Sequence, residues 1–400
     1  QASDFFGIYQ AGSNLNHGYS IYDSQDYLHE APPVVPFYYF YRYLPPTAYG
    51  AAAIASVLPP YPAYWAWVAF NELLLALVVL SILRSPRWPA RRRWIAASLW
   101  LGFFPIYIEQ VMGQFSLTMA VLLWIIWRAD LGSESGAGSR LKSWSGRVAW
   151  ALSLTLKTYP VLLTCSYLRD RRLRRILAGF GLAAALCLPY FLFRPADLHE
   201  FARLNLSPFT PDIYKGSFGL QTFLRDLLMH LPGDWNTPLV HIAGRGLSAG
   251  SVVLLGTSLS VAGLALLAVL RLKPAGVERS DALRHALDLA IWVTVFFLVF
   301  KSVWEYHYVM ILPVVSALYL TCGSRTVLIT GLILGLPTLF GVAPLLTGAA
   351  PTAPLAAWPG WFRILHFSVK CIPTLVLFGW CLQASRLPHA RSTAALNARM

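Results

Sequence analysis

Long apolar runs alternate with short, strongly basic loops along this chain. Runs near the length that crosses a hydrocarbon core of about 30 Å recur at 62 to 83, 92 to 109, 174 to 193, 248 to 270, 286 to 303, 326 to 346 and 362 to 382. Shorter runs at 114 to 128 and 308 to 321 read as tilted or thin spans. The run from 148 to 167 carries Lys157 and Pro160 in its middle. A proline interrupts the helix hydrogen-bond ladder and a lysine is costly at mid-bilayer, so this run reads as a re-entrant pair of half-helices. Residues 46 to 58, bracketed by Pro45, Pro46, Pro59 and Pro60, are too few to cross and read as an embedded half-helix or a tilted short span.

Composition narrows the class. The 400 residues are 56% hydrophobic and only 12% charged, outside the range of soluble domains. The expected fold is an all-α polytopic membrane protein with about nine to eleven transmembrane helices. A net charge of +14 would suit a nucleic-acid binder, but the basic residues are grouped in loops between apolar runs, which is a topology signal. Arg84, Arg87 and Arg91 to Arg93 form one group, and Arg128, Arg140, Lys142 and Arg147 a second. Arg169, Arg171, Arg172, Arg174 and Arg175 form a third, and Arg271, Lys273, Arg279 and Arg284 a fourth. With Arg325 and the tail residues Arg386, Arg391 and Arg399, a cytoplasmic placement of these groups puts 22 of the 32 Lys and Arg inside. Nucleic acid is not an expected partner; membrane lipid is.

Counting crossings from the basic loops divides the chain. Residues 1–45 form an extracytoplasmic loop, 46–193 the N-terminal helices, 194–246 a second outer loop, 247–383 the C-terminal helices and 384–400 a cytoplasmic tail. The junctions 109–114 and 301–308 fall on the same outer side. The chain opens at Gln1 with no leading apolar span while its first loop is placed outside, so a preceding transmembrane helix is expected. All five cysteines lie in or beside apolar runs, and no spacing of Cys, His or acids marks a disulfide framework or a metal site. There is no Walker A sequence and no Gly-x-Gly-x-x-Gly after a strand, which argues against an ATP-driven transporter or a nucleotide-sugar enzyme.

Polar residues crowd the four pieces placed on the outer side. Asp4 heads an aromatic-rich stretch and is the first candidate for a general base at the rim of the bilayer. Lys301, Glu305 and His307 fall within seven residues between two apolar runs, a grouping costly enough to suggest function. His307 and Lys301 are candidates to hold a phosphate, with Glu305 orienting His307 or a sugar hydroxyl. Lys157 is a candidate to meet an anionic headgroup; pairing with a buried acid such as Glu72 is the structural alternative. Glu109 and Gln114, at the outer end of their hairpin, are candidates for hydrogen bonds to sugar or backbone. Tyr9, Asn205 and Arg42 complete the substrate-binding candidates. The aromatics from Phe37 to Tyr43 read first as an interfacial belt. The loop 194–246, with a polar stretch through Lys215 and an amphipathic one from Leu220 to Leu228, reads as the cover of an acceptor groove or a solvated cap.

Several stretches in order resemble glycosyltransferase family 87. They are Asp-Phe-Phe-Gly-Ile-Tyr-Gln-Ala-Gly from Asp4, Gly18-Tyr-Ser-Ile-Tyr-Asp23, Tyr43-Leu-Pro-Pro, Gly113-Gln114 and Lys157-Thr-Tyr-Pro160 with Arg171-Arg172 behind it. Asn205-Leu-Ser207 and Trp304-Glu-Tyr-His-Tyr308 before Pro313 complete the series. The resemblance implies a GT-C bundle with an extracytoplasmic active site. It also implies a polyprenyl-phosphate sugar donor, a glycolipid or polysaccharide acceptor, and no cofactor. It makes Asp4 the presumed catalytic base and His307 a substrate-site residue. Many members carry a His pair where this chain has His307-Tyr308. Transfer of mannose is the leading expectation and arabinofuranose or another sugar the variant. A transporter or flippase of a lipid-linked sugar is the reading from a different class, and the lack of a visible internal repeat disfavours it.

The charge count makes a direct prediction. A fluorescent protein that matures only in the cytoplasm glows when fused after Arg271 and stays dark when fused after Asn236. The reverse pattern would invert the topology.

Overall fold

The computed structural model describes residues 2–24, 30–38, 41–131, 138–157, 159–206, 216–231, 235, 238–242, 245–272, 281–300, 303–339 and 358–386. In chain order α1 (Ser3–Asn16), α2 (Pro45–Ala55) and α3 (Pro60–Leu83) come first. α4 (Ala90–Leu101) and α5 (Pro105–Met112) form one apolar path interrupted at residues 102–104. α6 (Ser116–Leu131) and α7 (Gly138–Leu156) lead through a 3-10 turn, Tyr159–Leu162, into α8 (Leu163–Arg169), α9 (Leu173–Phe193) and α10 (Pro195–Leu206). Beyond them lie α11 (Leu220–His230) and an antiparallel hairpin of β1 (Pro238–Ile242) and β2 (Arg245–Ser248). Then come α12 (Ala249–Arg271), α13 (Asp281–Val299), a 3-10 segment Glu305–Ile311, α14 (Leu312–Cys322), α15 (Arg325–Gly335) and α16 (Gly360–Arg386).

The protein is nearly all helical and multi-pass. Six described segments are long and apolar enough to cross a bilayer: α3, the α4–α5 path, α9, α12, α13 and α16. They coincide with six of the seven long runs read from sequence. The seventh run, 326 to 346, shows only α15 among the described residues, and 340–346 lie outside them. The shorter runs appear as α6 and α14, and 46 to 58 as α2. The run from 148 to 167 breaks where Lys157 and Pro160 stand, although its first helix reaches back to Gly138.

Two compact units divide the chain: residues 1–86 with 106–209, and 87–105 with 210–400. In the first, α6 is buried around nearly its whole circumference, as an all-round apolar helix at the centre of a bundle must be. Trp124 Nε1 donates to Ser81 Oγ (3.0 Å), joining α6 to α3. At the other end of α6, Asp130 accepts from both Arg172 and Arg175, so part of the third basic group is neutralised. In the second unit, α13 and α14 form the interior: 83% of the apolar window of α13 is buried, against 28% for α12, which sits at the periphery. Trp100 Nε1 donates to Ser316 Oγ (2.9 Å), tying α4 to α14.

The start of the chain, expected as a loop, departs from that form: Ser3–Asn16 is a helix. The polar side chains in its middle and last turns, Gln10, Ser13 and Asn14, are buried. Gln10 Nε2 donates to Asn14 Oδ1 and to Pro32 O, Gln10 Oε1 accepts from the Val34 N–H, and Asn14 Nδ2 donates to Ser20 O. With polar and apolar faces both buried, the sequence carries no helical period to read. Gly12 lets α1 touch α2 backbone to backbone, since a Cβ there would lie 2.4 Å from Ala51 C. Gly50, on α2, faces open space.

That contrast is testable by thermal denaturation in detergent. Gly12→Ala should lower the midpoint, with an overpacking cost of about 1–3 kcal/mol. Gly50→Ala should leave it unchanged or raise it through helix propensity. Equal effects would refute the close contact.

Candidate active site

In the first unit, Asp4 stands in the first turn of α1, where the helix N-terminus favours a carboxylate. The Ala2 N–H, at the left-handed start of the helix (φ 61°), donates to Val111 O (2.8 Å). One turn further, Gly113 adopts φ 74°, and a Cβ there would lie 2.3 Å from Phe5 Cβ. Only a glycine permits the α5–α6 turn to lie this close against α1. The consequence is that Gln114 arrives beside Asp4.

Gln114 links two groups. Its carbonyl accepts from Tyr43 Oη (2.6 Å), and its amide hydrogen-bonds the Asp4 carboxylate. With Oε1 taken by the phenol, Nε2 is the group left to donate to the acid. Burial pushes the Tyr43 phenol well up, so it stays protonated and donating. Lys157, released from the end of α7, places its ammonium 5.1 Å from the centroid of the Tyr43 ring, a cation–π contact. Its charge acts on Asp4 and on Glu109. Glu109 is fully buried, and its Oε1 accepts from the Leu117 N–H (2.6 Å) at the start of α6. Glu109 thus closes the turn that presents Gln114, and its carboxyl lies near enough to Lys157 for the two groups to interact electrostatically.

The electrostatics follow. Asp4 and Lys157 each keep some accessible surface, but most of their neighbours are protein atoms. Burial pushes the Asp4 carboxyl above its ordinary value, against the Gln114 hydrogen bond and the charges of Lys157 and Arg42. Burial also lowers Lys157 to about 8, with Asp4 and Glu109 holding its proton and exposed Arg42 working against it. Such opposed shifts suit proton transfer near neutral pH.

Other sequence candidates lie elsewhere. Glu72, the acid proposed as an alternative partner for Lys157, instead accepts from Gln110 Nε2 (2.5 Å). Tyr9 donates to Leu58 O (2.8 Å) and packs with Phe5 and Trp67, so its side chain fixes α1 rather than joining the Asp4 group. Asn205 is exposed on α10 and donates to Phe201 O (3.0 Å), again outside that group. Tyr43, read from the sequence as part of an aromatic belt and in the Tyr43-Leu-Pro-Pro stretch of the resemblance, belongs to the group itself.

In the second unit, His307 and Glu305 start the 3-10 segment before α14. The Trp304 N–H donates to His307 Nδ1 (3.1 Å), which leaves Nε2 to carry the proton of the neutral ring. The ring packs edge-on against Tyr306 and Phe296. Glu305 does not orient His307. It is buried, and its two oxygens accept from the Thr338 N–H (2.9 Å) and from Thr338 Oγ1. The Lys370 charge acts on it from α16. Lys370, fully buried, donates to Leu334 O (2.6 Å) and Leu336 O at the end of α15. Sequence reasoning overlooked Lys370, though a lysine inside an apolar run is the same signal that drew attention to Lys157. Lys301 lies outside the described residues.

The model of the family described as Glycosyltransferase family 87 matches residues 41–300. That range contains Arg42, Gln114, Lys157 and Asn205; Asp4, Tyr9, Lys301, Glu305 and His307 fall beyond its ends. No curated protein matches the chain. A match over well more than half of a multi-pass helical chain decides between sugar transfer and transport: this protein belongs to glycosyltransferase family 87 and is a membrane glycosyltransferase.

Proposed function

We propose that the protein moves a sugar, mannose as the leading choice, from a polyprenyl-phosphate donor to a glycolipid or polysaccharide acceptor at the extracytoplasmic face. The observation that carries this reading is the convergence of Asp4, Gln114, Tyr43 and Lys157 in one partly accessible polar group. The acceptor hydroxyl attacks the anomeric carbon as the bond to the lipid phosphate breaks. Asp4 takes the hydroxyl proton as general base. The phosphate departs as an anion and needs positive partners instead of a proton, a role assigned to Lys157 and Arg42. One base and direct displacement give inversion, so a β-linked donor yields an α-linked product. His307 is assigned to the substrate site through the family resemblance.

Asp4→Asn should reduce transfer about 100-fold or more, the usual contribution of a general base, with the melting temperature preserved. The assay follows released lipid phosphate and glycosylated product by mass spectrometry, with polyprenyl-phosphate-mannose and a panel of acceptors. Full activity in the variant would remove Asp4 from the role.

The charge states set a pH profile. Asp4 acts only above its raised pKa, so the rate falls as pH drops through it. Lys157 is cationic only below about 8, so the rate falls again as pH rises through that value. Lys157→Arg should abolish the alkaline limb, because a guanidinium keeps its proton, while lowering the plateau through altered geometry. An unchanged alkaline limb would assign it to another group.

A further inference from the structure

The amphipathicity of α11 is inverted. Gln221, Thr222 and Asp226 are almost wholly buried, whereas Phe223, Leu224, Leu227 and Leu228 are only half-buried and Met229 and Leu231 at the end of the helix are exposed. Each of these three side chains makes a polar contact within the second unit. Gln221 Nε2 donates to Ser258 Oγ (3.0 Å) on α12, Thr222 shares a hydrogen bond with Ser217, and Asp226 is paired with Arg363 on α16. The polar face of α11 therefore packs inward, and its apolar arc is the one left open.

A helix bathed in water would expose the opposite side, since burying Gln, Thr and Asp while leaving four large apolar residues partly wet loses free energy at both faces. The arrangement is favourable where the surroundings are hydrocarbon. The adjoining surface agrees. Val252, Leu255 and Leu259 on α12 and Trp361, Ile364 and Leu365 on α16 are exposed, and both helices are apolar enough to cross the bilayer. α11 packs directly against these two helices.

We propose that α11 lies in the bilayer interface with Phe223, Leu224, Leu227 and Leu228 against lipid acyl chains, continuing the lipid-facing surface of α12 and α16. This segment of the 194–246 region is then neither an aqueous cap nor part of a solvated loop. The Asp226–Arg363 pair serves as the inward polar anchor that fixes which face meets lipid. The four outward residues are all apolar, so the partner is bulk lipid and not a specific headgroup.

The test uses the full chain in phosphatidylcholine nanodiscs, with Cys165 replaced by serine and the four buried cysteines kept. An environment-sensitive fluorophore is attached at Leu224→Cys, Leu227→Cys or Leu228→Cys. Leu255→Cys on α12 serves as the lipid-facing reference and Ser392→Cys in the polar tail as the aqueous one. Quenching by doxyl-labelled lipid should match the Leu255 reference and exceed the tail reference at least about threefold, with iodide quenching correspondingly weak. Iodide quenching equal to the tail reference would overturn the proposal by showing a wet face. Quenching by neither reagent would also overturn it, by showing that protein covers the helix.

Discussion

Withdrawing an ammonium from water costs several kcal/mol unless anions or carbonyl oxygens replace its hydration. Each unit carries such a lysine. Lys157 is compensated by Asp4 and Glu109, which stand 153 and 48 residues away in the chain, so α1, the α5–α6 turn and the end of α7 are drawn to one point. Lys370 is compensated by the last carbonyls of α15 and by Glu305, which draws α15, α16 and the start of α14 together. Apolar packing puts the helices side by side. The buried charges select which residues on them meet.

The crossings were legible because apolar length is a property of composition: α3, α9, α12 and α16 begin and end within a few residues of the runs that announce them. The break in the 148 to 167 run was legible for an equally local reason, a lysine and a proline three residues apart. What failed to show was anything satisfied at a distance. α1 hides its polar residues in hydrogen bonds to Pro32, Val34 and Ser20, so no amphipathic period marks it. Glu305 lies two residues from His307, and adjacency suggested a partnership. In the 3-10 segment it turns instead to Thr338, 33 residues downstream. Tyr43 had the signature of an interfacial aromatic, and only the position of Gln114 reveals its hydrogen bond.

The relation between the family match and the site is indirect. The matched residues stop short of Asp4 and His307 but include Gln114 and Lys157. Gln114 is the physical link, since one amide faces Tyr43 and Asp4 at once. The candidate base is therefore tied to the matched region by a hydrogen bond rather than by position along the chain. Gly113 makes that bond possible, because any side chain there would push α1 away.

Lys370 has a consequence for how α16 sits in the second unit. Its ammonium holds Leu334 O and Leu336 O, and its neighbours along α16 are mostly apolar. A slide by one turn, or a rotation that kept every leucine contact approximately intact, would strand a cation among hydrocarbon. Interchangeable leucines permit many alignments of two membrane helices; one lysine with two carbonyls permits one. The residue thus acts as a registry pin, setting the axial phase of a helix whose greasy surface could not set it alone.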